Sequence, residues 1–176
     1  MRQILKRYLG REDYLEVYAR PEASDRFDVG RLLAMDDQYV LMNTYDESGR
    51  DDGLSLRLIE NIICVQADTL YLKKLCLLEK SCASRYAKWK NVQGDLMDAL
   101  LMHAYEMGSG VSLELENGDE TTLVGSLMEK PGEVIALRQL DAYGDDDGVA
   151  YVRRDQLARA DCDSVDVRKR IAMSKR

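Results

Sequence analysis

One histidine, one tryptophan, one phenylalanine and two prolines are spread over 176 residues, and the four cysteines form no CxxC pair. A structural zinc site wants paired Cys or His ligands, and Cys64, Cys76, Cys82, Cys162 and His103 do not supply that spacing. The cysteines instead read as reduced thiols, mostly buried and packed as small hydrophobes. GxSxG, P-loop and Rossmann signatures are absent. His103 lies at helical spacing from Leu96, Leu100 and Met107, which suits a packed structural residue. No nucleophile with an orienting acid accompanies it. Neither an enzyme nor a cofactor is expected. No apolar run approaches the ~18–20 residues that span a bilayer, and Met1-Arg-Gln-Ile-Leu-Lys-Arg-Tyr8 lacks the apolar core of a secretory signal. A cytoplasmic protein without membrane partners is the expectation.

Positive charge is also in deficit. With Lys and Arg numbering 25 and Asp and Glu 32, the formal charge is −7 and the pI about 4.9. Such a field repels nucleic acid at long range, so RNA is a disfavoured partner and a protein partner is favoured. Charged residues at 32% and hydrophobic ones at 45% are ordinary for a folded globular chain and wrong for a disordered one.

What the chain has in abundance is itself. Val29-Gly30-x-Leu32 returns as Val124-Gly125-x-Leu127, and Asp46 to Gly53 returns as Asp141 to Gly148. The separation is constant, 125 − 30 = 95 and 148 − 53 = 95, without a gap. Gly49/Gly144, Asp51/Asp146, Asp52/Asp147, Asp68/Asp163 and Lys74/Lys169 are further identical pairs. A self-match of this kind marks a duplicated folding unit. Two units are expected, 1–90 and 91–176, each small enough to need the other's surface to complete its core.

Apolar spacing and turn residues predict the same plan in both. The first unit reads as a helix over 2–9, stopped by Gly10, and strands over 14–19, 27–35, 39–45, 54–59 and 62–66. A helix follows from Asp68 as N-cap as far as Trp89. In the second unit Asp95 caps a helix over 96–107. Strands follow over 111–116, 123–128, 134–140, 149–153 and 157–162, with Asn117-Gly118 as a hairpin turn between the first two. Asp163 or Ser164 caps the last helix. The fold class is mainly β with flanking helices (α+β). Five short strands in each unit, joined by Gly/Asp turns, suit a small closed barrel.

A helix followed by such a barrel resembles the Sm-like fold, a variant of the SH3-like barrel. Gly30-x-Leu32 with Met35-Asp36 is similar to the first Sm motif, and the likeness extends over both units, as in a bacterial tandem of Sm-like domains. The resemblance implies ring or edge-strand association, because Sm-like proteins pair through their last two strands. RNA binding is not carried over. Where the family places a base-lining asparagine, the chain has Val40 and Leu41, and Ile135 and Ala136. The second motif is replaced by Leu58-Ile-Glu-Asn-Ile62 and Arg153-Arg-Asp-Gln-Leu157.

Two groups of residues stand out as candidate sites. Asp46, Asp51 and Asp52, and Asp141, Asp145, Asp146 and Asp147, crowd hard oxygen ligands beside glycines, which a divalent cation could use. The plainer reading is a pair of β-turns whose Asp and Gly meet backbone demands. Basic residues gather at Arg85, Lys88 and Lys90 around Trp89, and at Arg168, Lys169 and Arg170. Such a group could meet phosphates while the aromatic stacks on a base. Packing of Tyr86 and Trp89 onto the barrel is the competing reading. The expectation overall is a non-catalytic binding or scaffold protein, with a protein partner or self-association through edge strands. RNA binding is the alternative, and a metal-responsive regulator comes third.

Overall fold

A computed structural model describes residues 1–20, 27–78, 86–116 and 122–175. The chain divides into two compact units, Met1–Leu96 and Met97–Arg176.

In the first unit, α1 (Arg2–Tyr8) precedes β1 (Leu15–Ala19), β2 (Asp28–Met35), β3 (Tyr39–Tyr45), β4 (Asp51–Leu58), β5 (Ile62–Gln66) and α2 (Leu70–Leu78). The strands lie in the order β5-β1-β2-β3-β4 and every neighbouring pair is antiparallel. Both faces of this sheet are covered. Leu5 of α1 packs into a cluster with Leu15, Val17, Leu32, Val40, Met42, Ile59 and Ile62. Leu72 and Leu75 of α2 pack with Tyr14, Val29 and Tyr45. β3 contributes Val40 and Met42 to the first cluster and Tyr45 to the second, and it is buried along its whole length.

The segment after α2 belongs to this unit. Asn91 N–H donates to Leu33 O at 2.9 Å, and Leu96 N–H donates to Asp36 Oδ2 at 2.9 Å. These bonds carry the boundary past residue 90 to Leu96. The predicted helical run toward Trp89 falls partly outside the described residues. Its end, Ala87–Trp89, is a single 3₁₀ turn.

The second unit holds β6 (Gly110–Leu115), β7 (Thr122–Leu127), β8 (Val134–Leu140), β9 (Asp146–Arg153), β10 (Leu157–Cys162) and α4 (Val165–Ser174), preceded by α3 (Leu96–Met107). Its order is β10-β6-β7-β8-β9. The duplication holds to the register: Tyr39↔Leu58 and Tyr45↔Asp51 recur as Val134↔Arg153 and Leu140↔Asp146. The Asn117-Gly118 hairpin lies outside the described residues, although β6 and β7 do pair antiparallel.

Three expectations change. The predicted loops 46–53 and 141–148 are shorter, because Asp51–Gly53 and Asp146–Gly148 already belong to β4 and β9 at a ladder irregularity. Asp68 does not cap α2. It takes a left-handed φ of 58°, and Thr69 Oγ1 accepts from Leu72 N–H at 3.2 Å. Asp163 likewise bends at φ 60°, leaving Ser164 to accept from Val167 N–H at 3.3 Å. Finally, the strand ladders do not close. Among the described residues the end strands of each unit's order do not pair with one another, so the sheets are open rather than the closed barrels expected. Each is nevertheless curled. The 3₁₀ turns Ile59–Asn61 and Arg154–Gln156 join strands at opposite ends of the order. Three residues span only about 10 Å, so the sheet must bend until its ends approach at that corner.

Candidate interaction surface

The acidic turns are built by hydrogen bonds from their own backbone. Asp46 Oδ1 accepts from Ser48 N–H at 2.8 Å and Arg50 N–H at 3.0 Å. Asp141 Oδ1 accepts from Tyr143 N–H and Asp145 N–H, both at 2.8 Å. Asp51 Oδ1 and Asp146 Oδ1 accept from Gly53 N–H and Gly148 N–H at 2.8 and 2.9 Å. These are Asx turns, in which a carboxylate replaces a missing backbone acceptor. Burial pushes the Asp46 carboxyl up, but hydrogen bonds from Arg50 and Ser48 and the Arg50 charge outweigh it and hold it below the usual range. Among the described residues, no group of three or more His, Cys, Asp or Glu converges as a metal site would require. Asp52, Asp145 and Asp147 therefore stand beside turns rather than around a common point.

Several of the basic residues are paired within their own units. Lys90 pairs with Glu12, whose carboxyl is lowered by that hydrogen bond, against burial, and by the charges of Lys90 and Arg31. Arg168 Nη1 donates to Asp163 O at 2.5 Å, and Arg170 Nε sits 2.9 Å from Asp166 Oδ2. Trp89 is only 5% exposed, so its ring offers no open face for a base. Lys88 and Lys169 are exposed, on different units. Arg85 lies outside the described residues. At the positions where the Sm-like resemblance would place a base pocket, Val40, Leu41, Ile135 and Ala136 are all buried.

Other features were not legible beforehand. Asp36, in the β2–β3 turn, accepts from Gln38 N–H at 2.8 Å and Tyr39 N–H at 2.6 Å as well as from Leu96. Arg31 lies 4.3 Å over the Tyr14 ring and donates to Tyr45 OH at 3.2 Å. A cleft of about 520 Å³ opens between α1 and the β2–β3 turn, with Arg2, Lys6, Asp36, Asp37 and Asp95 on its walls. Its charges are mixed, and Arg2 is already engaged by Asp36 O and Asp37. Cys64 is half-buried and Cys162 buried, whereas Cys76 is exposed on α2, contrary to the expectation of mostly buried thiols; Cys82 lies outside the described residues. His103 sits half-buried on α3.

β9 is an end strand of the sheet. Among described residues this strand pairs with β8 alone. Arg154 N–H donates to Glu133 O at 2.9 Å. With the register Val134↔Arg153, Ala136↔Tyr151 and Arg138↔Val149, the alternation of antiparallel bonding turns the N–H and C=O groups of Val149, Tyr151 and Arg153 away from β8. The side chains are equally uncovered. Tyr151 is 74% exposed, and Tyr143, in the turn before the strand, 78% exposed. The corresponding β4 is buried from Gly53 to Leu58. At the far end of the first unit's order, β5 pairs among the described residues only with β1 and exposes Ile63.

No protein-family model, curated protein or solved structure matches the chain. No helix among the described residues is long and apolar enough to cross a membrane.

Proposed function

We propose that the protein is a non-catalytic binding or scaffold module made of two Sm-like small barrels, which takes a protein partner through its strand edges. The observation that carries this reading is β9: a bare row of backbone donors and acceptors, beside exposed tyrosines, on a strand whose duplicate is covered. Such an edge is a template for strand addition. The barrel part of the reading draws on the strand order β5-β1-β2-β3-β4 with a helix before it, and on the curl that the three-residue corner imposes. The partner is a second copy of the chain or a strand of another protein. RNA binding draws less support, since Lys90, Arg168 and Arg170 are paired and Trp89 is buried.

Light scattering of the wild-type chain and of Tyr151→Pro over a concentration series tests self-association. Proline at 151 removes an outward-facing N–H and spares the β8 ladder. Mass above the 20.0 kDa protomer that falls back in the variant supports assembly through β9. A wild-type chain that stays at protomer mass assigns the edge to a different protein. Assembly that survives the proline removes β9 from the interface.

A further inference from the structure

We infer that the β9 edge accepts an extended segment of another protein that carries lysine or arginine at its C-terminal end. This rests on the edge-strand reading above and names the chemistry of its partner. Asp145, Asp146 and Asp147 occupy the start of the edge. Of these, Asp146 is engaged by Arg138 at 3.3 Å and by Gly148 N–H, whereas Asp145 and Asp147 form no ion pair among the described residues. Both are exposed. The cations at the other end of β9 are already neutralised: Arg153 binds Asp155, and Arg154 lies 3.8 Å from Asp98. Of the charges along the edge, those of Asp145 and Asp147 at its start are therefore the ones left outside an ion pair among the described residues. A strand that adds antiparallel to β9 brings its C-terminal residues beside Asp145 and Asp147. Its backbone pairs with Val149, Tyr151 and Arg153, and its central side chains meet Tyr151. The exposed Tyr143 ring, two residues before Asp145, offers a further face to a cation. Backbone pairing supplies affinity without sequence preference, and the charge asymmetry supplies direction and register.

The test uses the full chain and three labelled peptides, followed by fluorescence anisotropy: acetyl-Thr-Val-Thr-Val-Thr-Lys-Lys-amide, its Glu-Glu counterpart, and the Lys-Lys peptide N-methylated at alternate backbone positions. The expected result is binding of the Lys-Lys peptide about tenfold tighter than the Glu-Glu one at low salt. The preference should shrink as salt is raised. The double variant Asp145→Asn/Asp147→Asn should erase it, and N-methylation should abolish binding. If Lys-Lys and Glu-Glu peptides bind alike and both are lost on N-methylation, the edge reading stands and the cationic partner is overturned. If the Lys-Lys preference persists on the N-methylated peptide, the attraction is charge alone and the strand-addition reading is overturned. If no peptide binds, both fail. Because N-methylation alters the peptide and not the protein, the three outcomes that decide between the readings do not depend on the double variant's folding.

Discussion

At the scale of single residues, the duplicated glycines and aspartates serve geometry. A Cβ on Gly30 would run into the carbonyl oxygen of Asn43, and one on Gly125 into that of Arg138, its equivalent one repeat later. Neither neighbour can retreat without breaking a ladder. Gly125→Ala should cost about 3 kcal/mol by urea denaturation, and an unchanged midpoint would contradict the packing. Asp46 works through its charge. Its carboxyl is lowered in the folded chain, so its contribution is present above the unfolded carboxylate value of about 4 and is lost as pH falls through the lower folded value. Asp46→Asn should therefore destabilise at pH 7 by about 1–2 kcal/mol, with the gap from wild type narrowing below about pH 4. Thermal melts across pH read this directly. A gap that widens toward acid would reverse the sign.

At the scale of elements, the helix starts distinguish two neighbouring residues with different duties. Thr69 holds Leu72 N–H and also donates to the buried Glu16, which takes a further bond from Tyr18 OH at 3.0 Å. Asp68 bends the chain at positive φ. Thr69→Ala should cost about 1 kcal/mol or more, whereas Asp68→Gly should be neutral or slightly stabilising, since glycine adopts that φ without penalty. Equal losses at both positions would return the cap to Asp68. Sequence pattern places a capping residue at the right junction but cannot choose between adjacent oxygen-bearing side chains, because the choice depends on backbone dihedrals. The same limit shortened the predicted acidic loops: Asp51–Gly53 look like turn residues and yet continue a strand, held there by the Asp51 to Gly53 bond.

At the scale of the whole molecule, duplication has preserved the frame and released the surface. The registers of β3–β4 and β8–β9 coincide, while Ser55, Leu56, Arg57 and Leu58 in β4 are replaced at the equivalent positions of β9 by Ala150, Tyr151, Val152 and Arg153. Arg57 is 2% exposed and paired with Asp28; Val152 carries no such charge. Calcium or magnesium at millimolar concentration should leave the melting temperature unchanged. The Asp46 and Asp141 oxygens already serve backbone N–H groups, and a ligand stabilises only what it binds in the folded state. A clear rise with either ion would restore the acidic turns as a metal site.

By itself the sequence determined the duplication, its constant offset, ten strands in their order along the chain, and the place of the Asp46 and Asp141 turns, because each is written in local chemistry: alternation, glycine where φ is positive, aspartate where backbone N–H groups lack acceptors. Only the tertiary structure decided which strand stands uncovered. Tyr151 and Leu56 occupy equivalent places in the same pattern, and one is 74% exposed while the other is fully buried. Exposure is a property of what surrounds a strand, and that is set by contacts between residues far apart in the chain, which no local pattern records.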